Sequence, residues 1–334
     1  MKKFGTVLCV ALVVALAMGA LSAEAAIKLR FAGQNPIEHQ NTKAMNQVKE
    51  MIEKATNGEI VIEVYPASQL GDYTLIYEEL MRGSIDFALI SIPNQFDPAT
   101  QISTTPFMAK DYAEAKKVYA KGGWLFNKVA EIQAKQGIRF LAFNADGFGG
   151  LGLTKEPVDV LNPAVKKGVL VRVPPIPVFK AVVEDMGYQT VSIPYAELYT
   201  ALQTGIAEGW VGGAPSHNYL GFRDVIKHYY QLNIYLENEQ YLISDETWKK
   251  LSPEHQKIIE DIVAQVGEES FDISARDDAF YLEKLKEAGT KVYTYPAEQL
   301  AELAENAKRT TWPKVGKLIG EDLMNEMIKT FESK

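Results

Sequence analysis

Arg172 is the side chain with the clearest chemical potential in this sequence. It lies in the apolar run 169–173 and is followed by Pro174 and Pro175, so the pattern predicts a buried strand that carries one cation. A guanidinium binds a carboxylate through two parallel hydrogen bonds, and such pairing makes its burial tolerable. We therefore predict that Arg172 binds the carboxylate of a ligand. A structural ion pair with an acidic residue of the chain is the alternative.

Further polar candidates follow two predicted strands of the N-terminal half. Gln34 and His39 come after the first strand, and Ser91 and Asn94 come after the strand 85–90. Because sheets of this kind bind ligands beyond the carboxyl ends of their strands, we predict that these four side chains contact the ligand. Asn and Ser also form exposed turns, which is the alternative for each of them.

A second set of candidates lies near the middle of the chain. These candidates are Asn144, Asp146, Phe148, Tyr195, Trp210 and Gly212. The first two stand where the chain is expected to pass between two halves, so they are either ligand contacts or caps of a hinge. The aromatic members offer flat apolar surface for an organic ligand, although such side chains more often belong to a core.

Motifs of catalysis and metal binding are weak in this sequence. Residues 147–152 fit G-x-G-x-x-G after an apolar run, but no helical pattern follows them, as a dinucleotide site requires. The four histidines show no metal-ligand spacing, and Cys9 is the single cysteine. We therefore expect no metal, no cofactor and no enzymatic activity.

The elements that must position these residues form two α/β blocks. Strands are predicted at 27–32, 60–64 and 85–90, with helices at 38–57 and 74–82 between them. This order predicts a parallel sheet. After Gly150 a second block follows, with strands at 169–173 and 190–193 and helices at 178–186 and 197–203.

A long helix is predicted at residues 253–288. Ser252 and Pro253 suit its first turn, and apart from Gly267 no glycine or proline interrupts it before Gly289. Such a helix is longer than one domain core needs, so we expect a strut that crosses both halves. Two helices broken near Gly267 are the alternative.

The N-terminus and the composition indicate an exported protein. Residues 1–25 combine Lys2 and Lys3 with an apolar segment and a small-x-small ending, which predicts a signal peptide cleaved after Ala25. The net charge of −8 argues against nucleic-acid binding. No later segment has the apolar length of a membrane span, so we expect no membrane insertion.

Three sequence blocks resemble a known family. Residues 57–72 (NGEIVIEVYPASQLGD), 83–88 (GSIDFA) and 193–209 (IPYAELYTALQTGIAEG) appear in this order, the last beginning 21 residues after Arg172. Together they are similar to the extracytoplasmic solute receptors of TRAP transporters, the DctP-like family. The resemblance implies a two-lobe periplasmic-binding-protein-like fold with a long domain-bridging helix, in which Arg172 and Tyr195 contact the ligand.

Two departures from the family pattern concern the ligand. Many relatives have a second arginine in the loop where this chain has Gly149, and a Gln-Glu-Asn-Pro loop where it has residues 210–215, WVGGAP. Both changes remove polar contacts. We therefore expect a larger or partly apolar organic acid rather than a C4-dicarboxylate or sialic acid.

The resulting prediction is an α/β receptor of two lobes. Lobe I comprises residues 26–149 and 238–273, and lobe II comprises 150–237 and 274–334. We expect a periplasmic monomer that binds a small organic anion and passes it to a TRAP membrane permease. The alternatives are a secreted enzyme with Asp146, Glu208 or His217 as acid or base, and a receptor that signals to a membrane sensor.

Overall fold

Two β-sheets organise the chain in the computed structural model, which describes residues 26–332. The predicted signal peptide, residues 1–25, lies outside the described residues. The first sheet has the strand order β2-β1-β3-β10-β4. Its strands are β1 (Ile27–Gly33), β2 (Ile60–Tyr65), β3 (Phe87–Ile90), β4 (Ile138–Phe148) and β10 (Leu236–Ser244).

The pairing of the first sheet confirms part of the prediction and extends it. β1 is parallel to both β2 and β3, as the alternation of strands and helices predicts. β10, however, lies antiparallel between β3 and β4. This strand comes from far along the sequence, so the local pattern of the N-terminal block did not reveal it. It matters for function because β10 brings Glu237 and Asn238 to the sheet.

The second sheet has the order β11-β9-β5-β8-β6-β7. Its strands are β5 (Leu151–Leu153), β6 (Leu170–Val173), β7 (Gln189–Ser192), β8 (Gly209–Val211), β9 (His228–Gln231) and β11 (Lys291–Thr294). β6 lies parallel between β7 and β8, with Arg172 opposite Val191 and Trp210. The sheet therefore holds Arg172 rigidly on both sides.

The helices pack on these sheets with one apolar face. They are α1 (Gln40–Ala55), α2 (Tyr73–Met81), α3 (Tyr112–Val118), α4 (Trp124–Lys135), α5 (Pro177–Asp185), α6 (Leu198–Thr204), α7 (Pro215–Phe222), α8 (Asp245–Trp248), α9 (Pro253–Glu287), α10 (Ala297–Thr310), α11 (Trp312–Ile319) and α12 (Glu321–Glu332). Two 3₁₀ turns span Pro98–Thr104 and Tyr195–Glu197. α1 begins later than predicted because the His39 side chain caps it by accepting from Asn41 N.

α9 confirms the single long helix. Its 35 residues correspond to about 52 Å at 1.5 Å per residue. Ser252 caps it by accepting a hydrogen bond from His255 N. A Cβ at Gly267 would lie 2.6 Å from Phe143 O, so the glycine lets the helix approach β4 closely instead of breaking it. α9 packs on β4 and α1 of the first lobe and on α7 and β11 of the second.

The C-terminal helices also join the two halves. α11 packs against α5 and against the 3₁₀ turn Pro98–Thr104, and Trp312 Nε1 donates to Pro106 O at 2.8 Å. In α12, Glu326 lies 2.9 Å from Lys128 Nζ of α4. None of the helices between residues 26 and 332 combines the length and apolar character that a bilayer crossing needs.

Candidate functional site

A cleft of about 730 Å³ lies between the two sheets and receives residues from both. The first sheet and its loops contribute Gln34, Tyr73, Ser91, Ile92, Thr100, Gln101, Ser103, Thr104, Asp146, Glu237 and Asn238. The second contributes Arg172, Pro174, Ile176, Phe179, Tyr195, Trp210, Val211, Gly212, Gly213 and His217.

Arg172 is buried at the cleft with part of its guanidinium unused. Only 2% of the residue is exposed, and its Nε donates to Ile193 O at 2.7 Å. Its Nη2 is buried without a hydrogen-bond partner, and within residues 26–332 no ion pair involves it. Burial lowers the pKa of Arg172 to about 10, so the group is charged at neutral pH. A buried cation with a free donor edge is suited to a carboxylate.

Two aromatic rings and a glycine turn line the same wall. Trp210 and Tyr195 have ring centroids 6.4 Å apart, and Trp210 Nε1 donates to Asn218 Oδ1 at 3.0 Å, which fixes the indole plane. Gly212 and Gly213 have φ values of 107° and 83°. A Cβ at Gly213 would lie 2.2 Å from the Trp210 ring, so this turn requires glycine for both conformation and space.

The first lobe presents hydrogen-bond acceptors toward this wall of the cleft. Glu237 Oε1 accepts a hydrogen bond from Gly213 N at 3.1 Å, across the cleft. Burial raises the pKa of Glu237 to about 7, although Gly213 N and the charge of Arg172 act in the opposite direction. Asn238 Nδ2 donates to Ser103 O and Leu236 O, while its Oδ1 is buried and unpaired among the described residues.

The strand-end prediction for Gln34 and Ser91 corresponds to a close pair in the structure. Gln34 Nε2 donates to Ser91 Oγ at 3.0 Å, and Ser91 N donates to Gln34 Oε1 at 3.0 Å. The two residues follow the adjacent parallel strands β1 and β3, which is why they meet. Both side chains line the cleft.

Four predicted contacts do not line the cleft, and for two of them the cause is the geometry of β4. The pairing of β4 with β10 shifts register between Ala145 and Gly147, so alternation along the strand is interrupted there. Asn144 therefore points into the first lobe, donates to Asn41 Oδ1 at 3.0 Å and accepts from Tyr241 OH. Phe148 packs in the core, edge-on to Tyr112 at 5.0 Å.

The other two lie beside the cleft. Asn94 lines a separate cavity next to Pro98 and Pro177. His39 lies behind Asp146, with 1% of its surface exposed. Its role in the structure is to cap α1.

His39, Asp146 and His217 form a buried cluster that sequence spacing did not indicate. His39 Nε2 lies 3.4 Å from Asp146 Oδ1 and His217 Nε2 lies 3.2 Å from Oδ2, so three possible metal-ligand atoms are close together. Asn41 N donates to His39 Nδ1, which places the proton of the neutral ring on Nε2. Nε2–H then faces the carboxylate, and the cluster is better explained as a contact between the lobes than as a metal site.

Several residues that line the cleft were not predicted from the sequence, and Glu237 is the most important of them. A signal was present, because the β10 sequence LENEQYLIS carries two acidic residues shortly before the apolar run 241–243. Charged residues in such a setting need a partner or a function. The aromatic Tyr73 and Phe179 carried no comparable signal, since their pattern is that of ordinary core.

The fold and the cleft define the class of protein. Two α/β lobes, joined by crossing strands and a shared helix, enclose a cleft with a buried cation on one side and unpaired acceptors on the other. This is the architecture of a two-lobe solute-binding protein.

Comparison with known proteins assigns the family. Residues 31–314 match the family described as bacterial extracellular solute-binding protein, family 7, or DctP. The chain belongs to this family, whose members are the extracytoplasmic solute receptors of TRAP transporters.

Individual relatives agree with this assignment. The sialic acid-binding periplasmic protein SiaP of Vibrio cholerae is 24% identical over 279 residues, covering 83% of this chain and 85% of the relative. The C4-dicarboxylate-binding periplasmic protein DctP of Rhodobacter capsulatus is 26% identical, covering 74% of each chain. A TRAP periplasmic solute-binding protein of Desulfovibrio salexigens with bound orotic acid superimposes with a TM-score of 0.83 at 23% identity, covering 92% of this chain and 97% of that one.

Proposed function

We propose that this protein binds a small organic acid in the cleft, with the carboxylate on Arg172, and delivers it to a TRAP-type membrane permease. The observation that carries the proposal is the buried guanidinium with its unpaired Nη2 at the cleft. Its own chain supplies no carboxylate partner among residues 26–332. A ligand carboxylate would complete the hydrogen bonding and neutralise the charge.

The ligands of related proteins support this chemistry. Those named for the relatives include sialic acid, 2,3-diketo-L-gulonate and C4-dicarboxylates. Related structures hold β-D-galacturonate and orotic acid. All of these compounds carry a carboxylate, and they differ widely in the rest of the molecule. A shared carboxylate clamp with a variable remaining cleft accounts for both facts.

Ligand binding would act by favouring the closed arrangement of the lobes. Gly213 N to Glu237 Oε1 and His217 Nε2 to Asp146 Oδ2 are contacts between the two sides of the cleft. A ligand that contacts both sides binds the closed form more tightly than the open one, and so shifts the population toward it. The closed form would then dock on the permease as a monomer in the periplasm, without chemical change of the ligand.

The first test is thermal unfolding of the purified protein against aliphatic, aromatic and sugar acids, with neutral sugars and amines as controls. A ligand at a thousand times its Kd stabilises the folded state by about 4 kcal/mol, which gives a shift in Tm of several degrees. Arg172→Ala should weaken binding of that acid by about 100-fold or more, because a buried charge partner is lost.

The matched control is Arg309→Ala on the exposed side of α10, which should leave the affinity unchanged. Calorimetric titration of both variants gives the comparison. If acids bind equally well to the Arg172 variant, or if only neutral or cationic solutes bind, the carboxylate clamp is wrong. Conversion of the bound acid into a product, detected by chromatography, would instead support the alternative that the protein is an enzyme.

A further inference from the structure

The charged groups of the cleft lining do not balance one another. The lining contains one guanidinium, that of Arg172, and two carboxyl groups, those of Asp146 and Glu237. Asp146 has nearby partners in His217 Nε2 and in Gln40 Nε2, which donates to its Oδ1 at 3.0 Å. Glu237 accepts one backbone hydrogen bond, and in the described part of the chain no cation pairs with it.

Arg172 and Glu237 belong to opposite walls of the cleft. Arg172 lies in β6 of the second sheet and Glu237 in β10 of the first. The two charges influence each other electrostatically, yet they form no ion pair. The space between them is part of the cleft, so a ligand can contact the cation with one end and the carboxyl group with the other.

The side chains around Glu237 present hydrogen-bond acceptors that lack donor partners. Asn238 is 5% exposed, and its Nδ2 is held by two backbone carbonyl groups. Its Oδ1 is buried without a partner in residues 26–332. A buried acceptor that stays unpaired costs free energy. A ligand group with several N–H donors would satisfy Asn238 and Glu237 together.

A simple monoanion would fit this lining poorly. It would pair with Arg172 but leave Glu237 without a cation in a cleft that has now lost its water. Glu237 would then have to take up a proton or remain as a costly unpaired charge. We propose that the ligand is a zwitterion, with its carboxylate on Arg172 and a protonated nitrogen beside Glu237. This inference rests on the proposed function and narrows its substrate class.

The aromatic side of the cleft suits the same chemistry. Trp210 and Tyr195 line the cavity together with Glu237, and the indole is fixed by its hydrogen bond to Asn218. The faces of aromatic rings attract cations, Trp most strongly. A nitrogen cation between these rings and Glu237 would therefore gain from both neighbours.

The test uses pairs of compounds that differ only in the cationic nitrogen. Suitable pairs are proline with cyclopentanecarboxylate, γ-aminobutyrate with valerate, and phenylalanine with hydrocinnamate. In calorimetric titrations of the whole protein, at least one zwitterion should bind about tenfold or more tightly than its partner. Plain acids that bind as tightly as the zwitterion in every pair would overturn the inference.

The variant Glu237→Gln tests whether the Glu237 carboxyl group is responsible for the preference for the zwitterion. The amide keeps an acceptor for Gly213 N but removes the charge, so the preference for the zwitterion should fall to about threefold or less. Glu298→Gln, on the exposed surface of α10, should leave the preference unchanged. A preference that survives in the Glu237 variant would contradict the assignment.

Two further outcomes separate this inference from the proposed function. If plain acids bind through Arg172 but only with added Na⁺ or Ca²⁺, and a chelator or salt exchange abolishes binding, the missing cation is an ion and the zwitterion is wrong while the carboxylate clamp stands. If no acid or zwitterion binds and Arg172→Ala has no effect in any titration, both the clamp and the zwitterion fail.

Discussion

Glu237 and Asp278 are two buried carboxyl groups with different surroundings. Burial raises the pKa of each to about 7. Asp278 lies in α9 against the core, where its Oδ2 accepts from Tyr112 OH and from Phe148 N. Glu237 lines the cleft and accepts from a single backbone donor. The shift in pKa is similar, but Asp278 accepts two hydrogen bonds from the protein whereas Glu237 accepts one.

This difference shows which observation marks a binding site. A raised pKa records the removal of water from around a carboxyl group, and a structural residue shows it as readily as a functional one. An incomplete set of partners facing a cavity is the more specific sign. Arg172 and Asn238 show the same incompleteness in the same cleft, whereas Asp278 does not.

The largest effect is expected from Asp278→Asn. The folded state holds its proton up to about pH 7 while the unfolded chain loses it near 3.8, so this group lowers stability as pH rises through that window. The amide keeps the acceptor and does not ionise. At pH 8 the variant should therefore be more stable than the natural protein by up to about 4 kcal/mol. Urea unfolding at pH 5 and pH 8 measures this, and equal pH slopes for the two proteins would contradict it.

Glu237→Gln should have a smaller effect on the free protein. The same sign applies, since the folded-state pKa of about 7 exceeds the ordinary 4.5. Because the cleft admits some water, we expect a gain of about 1 kcal/mol at pH 8. Unlike the gain for Asp278→Asn, it should disappear when a saturating zwitterion is present during unfolding. A gain that is unaffected by ligand would mean that Glu237 is structural too.

Tyr112→Phe should have an effect of similar size to that of Glu237→Gln but of opposite sign. It removes one donor to Asp278 and leaves the other in place, so stability should fall by about 1 kcal/mol at neutral pH. Ligand affinity should not change, because Tyr112 does not line the cleft. Calorimetric titration checks this, and a tenfold loss of affinity would show that the core carboxyl group and the cleft are coupled.

Local patterns were sufficient for the elements and for the clamp. The helical spacing of apolar residues in α1 and α9, and the cap at Ser252, follow from interactions within a few residues. Arg172 could be singled out because a lone cation in an apolar strand is costly without a partner. Gln34 and Ser91 were accessible by the rule that parallel strands end at the same edge.

The wall of the cleft opposite Arg172 depends on long-range strand pairing, so local sequence patterns could not predict it. Glu237 reaches the cleft because β10 inserts antiparallel between β3 and β4. Asp146 lines the cleft and Asn144 does not, since the register shift in β4 lies between them. A bulge of this kind is set by the partner strand. The predicted lobe boundaries stay a prediction.

The position of α9 also affects how the protein unfolds. Ile259 and Val263 belong to a hydrophobic cluster of the first lobe, whereas Leu285 belongs to a cluster of the second. If either cluster unfolded, the helix would lose its packing contacts on that side. An isolated half of the helix has only marginal stability in water. The lobes therefore share their cooperativity. Calorimetry of the free protein should show one transition for the two lobes, not two separate ones.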